Sequence, residues 1–228
     1  MELSEAMRTT GAVREYEPRD VDDATLYAIL DDARFAPSGG NRQAWRVIVV
    51  RDLEQRRRIR DLYLDAWHDY VAHLLIGVVP FSPLMTDEQR SHAVSQRSAA
   101  ESASDPQGFA ENLDRVPVML VVCADLGALA ASDRDLDRYQ IVGGASVYPF
   151  VWNILLAARQ HDLGGVMTTV ATRHEDRLRQ EIGAPENFAI ASIVVLGHAQ
   201  RQVRLLARRS VEEFTTIGRL DGPIFLPT

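Results

Sequence analysis

Apolar positions recur along this chain in two rhythms. Leu26, Ile29, Leu30 and Ala33 fall at helical spacing, as do Ile59, Leu62, Tyr63, Ala66, Tyr70 and Leu74. A third set, Val147, Phe150, Val151, Ile154, Leu155 and Ala158, covers so wide a face that it predicts a helix at the centre of the molecule or at a subunit interface. Between these lie unbroken apolar runs. Arg46–Arg51 carries Val-Ile-Val-Val, Val116–Ala124 is apolar almost throughout, and Phe188–Leu196 is the last strong run. Such β-branched stretches predict strands buried on both faces.

Polar punctuation marks the boundaries. Asp22 and Asp52 stand where a helix N-cap is expected, and Gly77 and Gly183 where a helix would close. Leu3–Met7 predicts a short first helix. The helix opened by Asp22 is expected to run to Ala36, because the residue before Pro37 is driven out of the helical region. Thr172-Arg173-His174-Glu175 reads as a capping box for a helix through Leu178 and Ile182. Pro117 sits at the entry of its strand, and Pro149 is compatible with a helix only in the first turn. Gly164–Val170 reads as a glycine turn leading into a short extended segment. Residues 78–107 break the rhythm. Two prolines precede a helical stretch at Thr86–Ala100 and a Ser/Ala/Asp/Pro-rich end. This zone reads as an excursion, either a lid over a pocket or padding, within one domain spanning 1–228.

Composition adds limits rather than direction. The 228 residues are 46% hydrophobic and 25% charged, which suits a soluble globular chain with a sizeable core. A net charge of -7 argues against general nucleic-acid binding. Cys123, the one cysteine, lies in an apolar run and reads as a buried thiol. The acidic start Met1-Glu2-Leu3-Ser4-Glu5 lacks a signal-peptide core and no run approaches a membrane span, so a cytoplasmic location is expected.

Two stretches carry candidate chemistry. Ala36–Trp45 reads Ala-Pro-Ser-Gly-Gly-Asn-Arg-Gln-Ala-Trp, a dense set of backbone, amide and guanidinium donors between a helix and a strand. It is either a binding loop or a helix stop with a turn. Arg8–Tyr16 joins Thr9, Thr10 and Gly11 to Arg8 and Arg14, which suits a phosphate as well as it suits solvated surface. The end of the chain is basic at Arg201, Arg204, Arg208 and Arg209. Other chemistries lack support. There is no Gly-x-Gly-x-x-Gly or Walker-type loop. Tyr148 occupies the last glycine position of a nucleophile elbow, and His68 and His73 are five apart rather than three or four. Donor-rich loops without a triad or metal set suit a bound organic cofactor that supplies the reactivity itself.

Arg8–Tyr16, Ala36–Trp45 and Arg208–Glu213, in this order, resemble the nitroreductase-like family of FMN-dependent oxidoreductases. The central loop is similar to the family's Ala-Pro-Ser-x-x-Asn-x-Gln-Pro-Trp element, with Ala44 in place of the second proline. The Gly143–His161 helix and the Gly164–Thr169 turn also resemble the family's interface helix and flavin-facing strand. The resemblance implies an α+β fold, with a mixed, mostly antiparallel sheet, flanking helices and a homodimer made through the long helices. It implies FMN at the subunit interface. Arg14 and Arg208 would take its phosphate or ribityl end, with Arg209 in reserve. Pro37, Ser38, Gly39, Asn41 and Gln43 would line the flavin. Gly165, Val166, Thr168 and Thr169 would pass along the ring, a backbone N–H there meeting N5. Arg14 or Arg42 would favour the charge gained near N1.

The N-terminal loop departs from the family pattern. Ala12 stands at the usual serine and Thr10 at the usual arginine, with Arg8 as a candidate replacement. The implied activity is hydride passage from NAD(P)H through FMN to a small organic acceptor such as a nitroaromatic or quinone, in a ping-pong cycle, with no side chain acting as an acid. Two other readings stand beside it. One is a flavin-fragmenting or dehalogenating member of the same family. The other is an FMN-binding or storage protein without turnover.

Overall fold

The computed structural model describes residues 1–103 and 105–227. Its centre is a four-stranded sheet of β1 (Trp45–Val50), β2 (Val118–Asp125), β3 (Gly164–Thr168) and β4 (Phe188–Gly197), in spatial order β1-β2-β4-β3. All three pairings are antiparallel, and a single parallel bridge joins Ala12 to Gly165 at the outer side of β3. The helices are α1 (Leu3–Thr9), α2 (Asp23–Ala33), α3 (Leu53–Leu75), α4 (Asp87–Ser95), α5 (Arg97–Glu101), α6 (Tyr148–Gln160) and α7 (Glu175–Ile182).

Alternation along the strands splits the core in two. Val118, Leu120 and Val122 of β2 meet Val194 and Leu196 of β4 under α2 and α6. Met119, Val121 and Cys123 meet Ile193 and Val195 on the other face, under Ile59, Leu62 and Tyr63 of α3 and Leu178 of α7. The result is α+β with helices on both faces of one sheet.

Both aspartate caps form. Asp22 Oδ1 accepts from the Thr25 amide at 2.8 Å, and Asp52 Oδ1 from the Gln55 amide at 2.7 Å. Each such cap is worth on the order of 1 kcal/mol. Gly183 closes α7 in the left-handed conformation at φ 67°, and Pro149 falls in the first turn of α6.

Four expectations are corrected. The helix opened by Asp22 ends at Ala33 rather than Ala36, because its last turn tightens into i→i+3 bonds, the Phe35 amide reaching Asp32 O and the Ala36 amide Ala33 O. β1 is an edge strand, so Arg46 and Val49 are exposed instead of buried. The second strand starts at Val118, after Pro117; the carbonyls of Val116 and Pro117 accept from the Arg56 guanidinium instead of a neighbouring strand. Thr172–Glu175 is not a capping box. Thr172 Oγ1 donates to Thr169 O, while Glu175 Oε1 accepts from the Ile190 amide at 2.6 Å and ties α7 to β4. Capping boxes do form at Thr86/Gln89 and Ser210/Glu213.

The excursion at 78–107 carries α4 and α5 against α3. Arg97 fastens it, pairing with Asp65 and Asp69 of α3 at 2.5 Å each and with Glu101 at 2.8 Å. Phe81, at φ 55°, packs edge-on to His73 with Arg173 over its ring.

Candidate functional site

The loop after α2 is held in a strained shape. Gly40, Asn41 and Gln43 take φ of 59°, 52° and 49°. Left-handed residues other than glycine cost of order 1–3 kcal/mol and cluster at functional sites. Two bonds maintain the shape. The Gln43 amide donates to Ser38 Oγ at 3.0 Å, and the Gly39 amide donates to Ser146 Oγ at 3.0 Å. Ser146 closes the 3-10 turn Val142–Ser146 that feeds α6, so α6 positions the loop. Ser38 thus shapes the loop with its hydroxyl, while Pro37, Asn41, Arg42 and Gln43 stay exposed. Gln43 Nε2 donates to Asn41 Oδ1 at 3.2 Å, which pairs the two amides.

A second cluster forms around Arg14. The Val13 amide donates to Gly165 O at 3.0 Å, which fixes the N-terminal loop to β3. A cavity of about 730 Å³ opens beside it, lined by Arg14, Glu15, Gln107, Arg201, Gln202 and Arg204 among others. Gln202 Nε2 is buried there without a hydrogen-bond partner. Arg14, Arg201 and Arg204 form no ion pair among the described residues, and they line this space together with one acidic residue, Glu15. That donor set fits a phosphate monoester, whose charge near -2 favours arginine forks. Arg208 and Arg209 lie further along the arm, exposed and outside the lining of this cavity.

Gly165, Val166 and Thr168 lie in β3, and Thr169 follows directly after it. Gly165 is a packing glycine: a Cβ there would lie 2.6 Å from Leu196 Cδ2 and 2.7 Å from Val195 O. Val166 is buried in the core. Thr168 Oγ1 and Tyr63 Oη meet at 3.5 Å, and Thr169 is exposed. Burial pushes the Tyr63 hydroxyl above its ordinary pKa, with the nearby Arg14 charge acting the other way.

The two clusters stand apart within the chain. Arg14 belongs to the end of the sheet where Tyr16 bridges Ala199, beyond Gly197 of β4. The Ser38–Gln43 loop precedes Trp45, which pairs with Ala124 and through it with Ala189 at the other end of β4. From Ala189 to Gly197 is on the order of 26 Å at about 3.3 Å per residue. The clusters also flank opposite edge strands, β1 and β3.

Arg201, Arg204, Gln107 and Ser146 were not singled out by motif. The basic end of the chain was the available signal for the two arginines. Nothing local marked Ser146 or Gln107, which reach the site through the fold. No group of three or more metal-ligating side chains occurs among the described residues, and no described helix is long and apolar enough to cross a membrane.

Comparisons with known proteins agree with this architecture. A family model described as the nitroreductase family matches residues 7–198. A putative NADH dehydrogenase/NAD(P)H nitroreductase from Archaeoglobus fulgidus is 28% identical over 192 residues, covering 83% of this chain and 81% of the relative. A nitrobenzene nitroreductase from Ectopseudomonas oleovorans is 25% identical, covering 94% and 96%. The crystal structure of a BluB-like flavoprotein from Clostridium difficile 630 superposes with a TM-score of 0.68 at 17% identity, covering 96% of this chain and 100% of that one. A match across most of the chain, on a sheet and loops of this arrangement, makes this protein a member of the nitroreductase family.

Proposed function

We propose that this chain is an FMN-dependent NAD(P)H oxidoreductase acting on a small organic acceptor, and that it works as a homodimer with FMN between two copies. The observation that supports the reading is that the Arg14 cavity and the strained Ser38–Gln43 loop flank opposite edge strands and lie toward opposite ends of β4. In this reading the two elements that serve one flavin come from different copies. A second copy can bring its loop to the first copy's cavity.

α6 supports that arrangement. Its inner face is buried through Phe150, Val151, Ile154 and Ala158, yet Tyr148 and Trp152 are 41% and 40% exposed and continue into Leu156 at four-residue spacing. An apolar stripe on the outside of a core helix is suited to a partner surface. The arm beyond Gln200 adds Phe214, Ile217, Leu220 and Phe225, all more than half exposed.

In this reading Arg14 holds the phosphate end. Pro37, Ser38, Gly39, Asn41 and Gln43 of the other copy border the ring with amide and backbone donors. The backbone of Gly165 and Val166, with Thr168 and Thr169, borders its other edge. Arg208 and Arg209 lie on the same arm and are available to the anionic end. When bound, FMN would supply the redox chemistry, hydride transfer between NAD(P)H and the acceptor. The chain's part is to bind and orient, and an arginine or N–H near the N1 side favours negative charge there. The excursion at 78–107, docked on α3 by Arg97, borders the Arg14 cavity through Gln107 and is the proposed lid for the acceptor.

The test is an absorption spectrum of the purified protein, followed by NADH and NADPH titration with a quinone or nitroarene. Yellow protein that releases FMN on denaturation and oxidises a nicotinamide is expected. Colourless protein that takes up no added FMN contradicts the reading. FMN without turnover leaves the binding or storage role, and an assay under oxygen with reduced FMN separates flavin fragmentation.

A further inference from the structure

We propose that a cavity under the excursion, between Phe81, Arg173 and the end of α3, is a binding site for a small aromatic carboxylate. The inference deepens the oxidoreductase reading and rests on it in one respect, that the carboxylate is carried by the acceptor.

The cavity measures about 330 Å³ and shares no described lining residue with the Arg14 cavity. Its walls come from three stretches far apart in sequence. These are 69–73 of α3, 81–94 of the excursion, and Arg173 of the 3-10 turn Val170–His174. Ala72, Met85, Ala93 and Val94 make much of the lining apolar. Phe81 adds a ring. It takes φ of 55°, a conformation that a bulky side chain adopts only at a cost, and such strain gathers where a side chain has to be held for a ligand. The ring centroid lies 4.9 Å from that of His73 and 6.4 Å from that of Tyr70, and the Arg173 guanidinium stands 5.1 Å over it.

Charge sets the sign of the ligand. Arg173 forms no ion pair among the described residues. Arg90 pairs with the exposed Asp87 at 3.3 Å, which is worth little in water, and donates from Nη2 to Met85 O at 2.7 Å. Asp69, the one acidic residue among the described lining, is already held by Arg97 at 2.5 Å. His73 Nδ1 lies 2.6 Å from Asp69 O; a carbonyl can only accept, so Nδ1 donates and Nε2 is left uncommitted. Two guanidinium groups beside a neutralised carboxylate favour an anion. The guanidinium fork fits a carboxylate, and the ring with its apolar surroundings fits an aryl group. The same apolar lining disfavours a dianion such as a phosphate monoester.

The cavity is also close to the strand that the FMN reading sets along the flavin. Arg173 stands four residues after Thr169, within one 3-10 turn. Tyr63, whose hydroxyl is 3.5 Å from Thr168 Oγ1, begins a row of rings that passes through Trp67 and Tyr70 to Phe81. An acceptor lying along this row brings its carboxylate to Arg173.

Benzoate and benzamide, nearly equal in shape and different in charge, test the site without turnover. Calorimetric titration of the full chain should show benzoate binding about tenfold or more tightly than benzamide, as for one charged hydrogen bond. Arg173 is exposed, so its replacement spares the fold. Arg173→Gln should abolish the preference and Arg173→Lys should keep part of it. Arg177→Gln, which removes an exposed charge on α7 nearby in sequence, should leave it unchanged. Phe81→Leu should weaken both ligands. With 4-nitrobenzoate and nitrobenzene as acceptors, kcat/KM should favour the carboxylate, and Arg173→Gln should erase that advantage through KM. Equal binding of benzoate and benzamide overturns the site, as does a preference that survives Arg173→Gln or falls equally in Arg177→Gln. Benzoate binding with equal kcat/KM for the two nitroarenes overturns its part in acceptor recognition. A chain that binds benzoate through Arg173 and reduces neither nitroarene upholds the carboxylate site and fails instead at the oxidoreductase reading.

Discussion

The Gly39 amide donates to Ser146 Oγ at 3.0 Å across 107 residues of sequence, and this bond joins the donor loop to the entrance of α6. Ser146 is 6% exposed, so its removal leaves a half-buried N–H without a partner. Ser146→Ala should cost about 1 kcal/mol of stability and weaken flavin binding more than that loss requires, because the loop is then free to relax. Thermal unfolding and flavin titration of the variant check both effects. An unchanged flavin affinity would mean that the bond does not shape the site.

Gln43 combines an exposed side chain with φ of 49°. Gln43→Gly removes the left-handed cost but adds chain entropy, two terms of order 1 kcal/mol with opposite signs. Urea unfolding should therefore change little. Flavin affinity should fall, because the amide paired with Asn41 is gone. A variant that binds flavin normally would show that Gln43 serves only the turn.

Gly165 has no room for a methyl group. A Cβ would meet Val195 O at 2.7 Å, a backbone atom held in the β3–β4 ladder. Gly165→Ala should destabilise the protein by about 1–3 kcal/mol in urea unfolding through overpacking. A loss well below that range would show that β3 can shift away from β4.

Cys123 is 1% exposed, and burial, aided by the Glu175 charge, pushes its thiol up to about 11 from an ordinary 9.0. The folded state therefore holds this proton more tightly than the unfolded chain. Its contribution to stability is complete below about pH 9 and is lost as pH rises toward about 11. Unfolding midpoints across that window should decline less steeply in Cys123→Ala than in the parent. Thiol reagents should label the folded protein slowly at neutral pH, and rapid labelling would place the thiol at the surface.

Much of this architecture was legible along the chain. Asp22 and Asp52 act locally and form the caps their positions imply. The helical spacings of α2, α3 and α6 survive because each buries one face against the sheet. The misreadings share a cause, which is that the deciding partner lies elsewhere in the fold. Val49 sits in an apolar run, but strand order leaves β1 at an edge. Glu175 has capping-box spacing, yet the Ile190 amide claims its carboxylate.

The candidate site divides the same way. Ser38–Gln43 is contiguous, so its donors could be read directly. Arg201 and Arg204 form no motif with Arg14, and only the stapling of the arm to residues 11–17 brings them together. Arg208 and Arg209, which the resemblance implies, lie further along the same arm, outside the lining of that cavity.

The division of the site between two copies is tested most directly by a mixed dimer. Arg14→Ala spoils the cavity, and Ser38→Ala combined with Asn41→Ala spoils the loop. Each variant alone should bind little FMN. Co-expressed and purified through two different tags, the mixed dimer should regain one FMN per two chains, half the content of the parent. One of the two sites at the interface then holds both intact elements and the other holds neither. A mixed dimer that binds no flavin, or a parent chain that binds FMN as a monomer, would contradict a site shared across the interface.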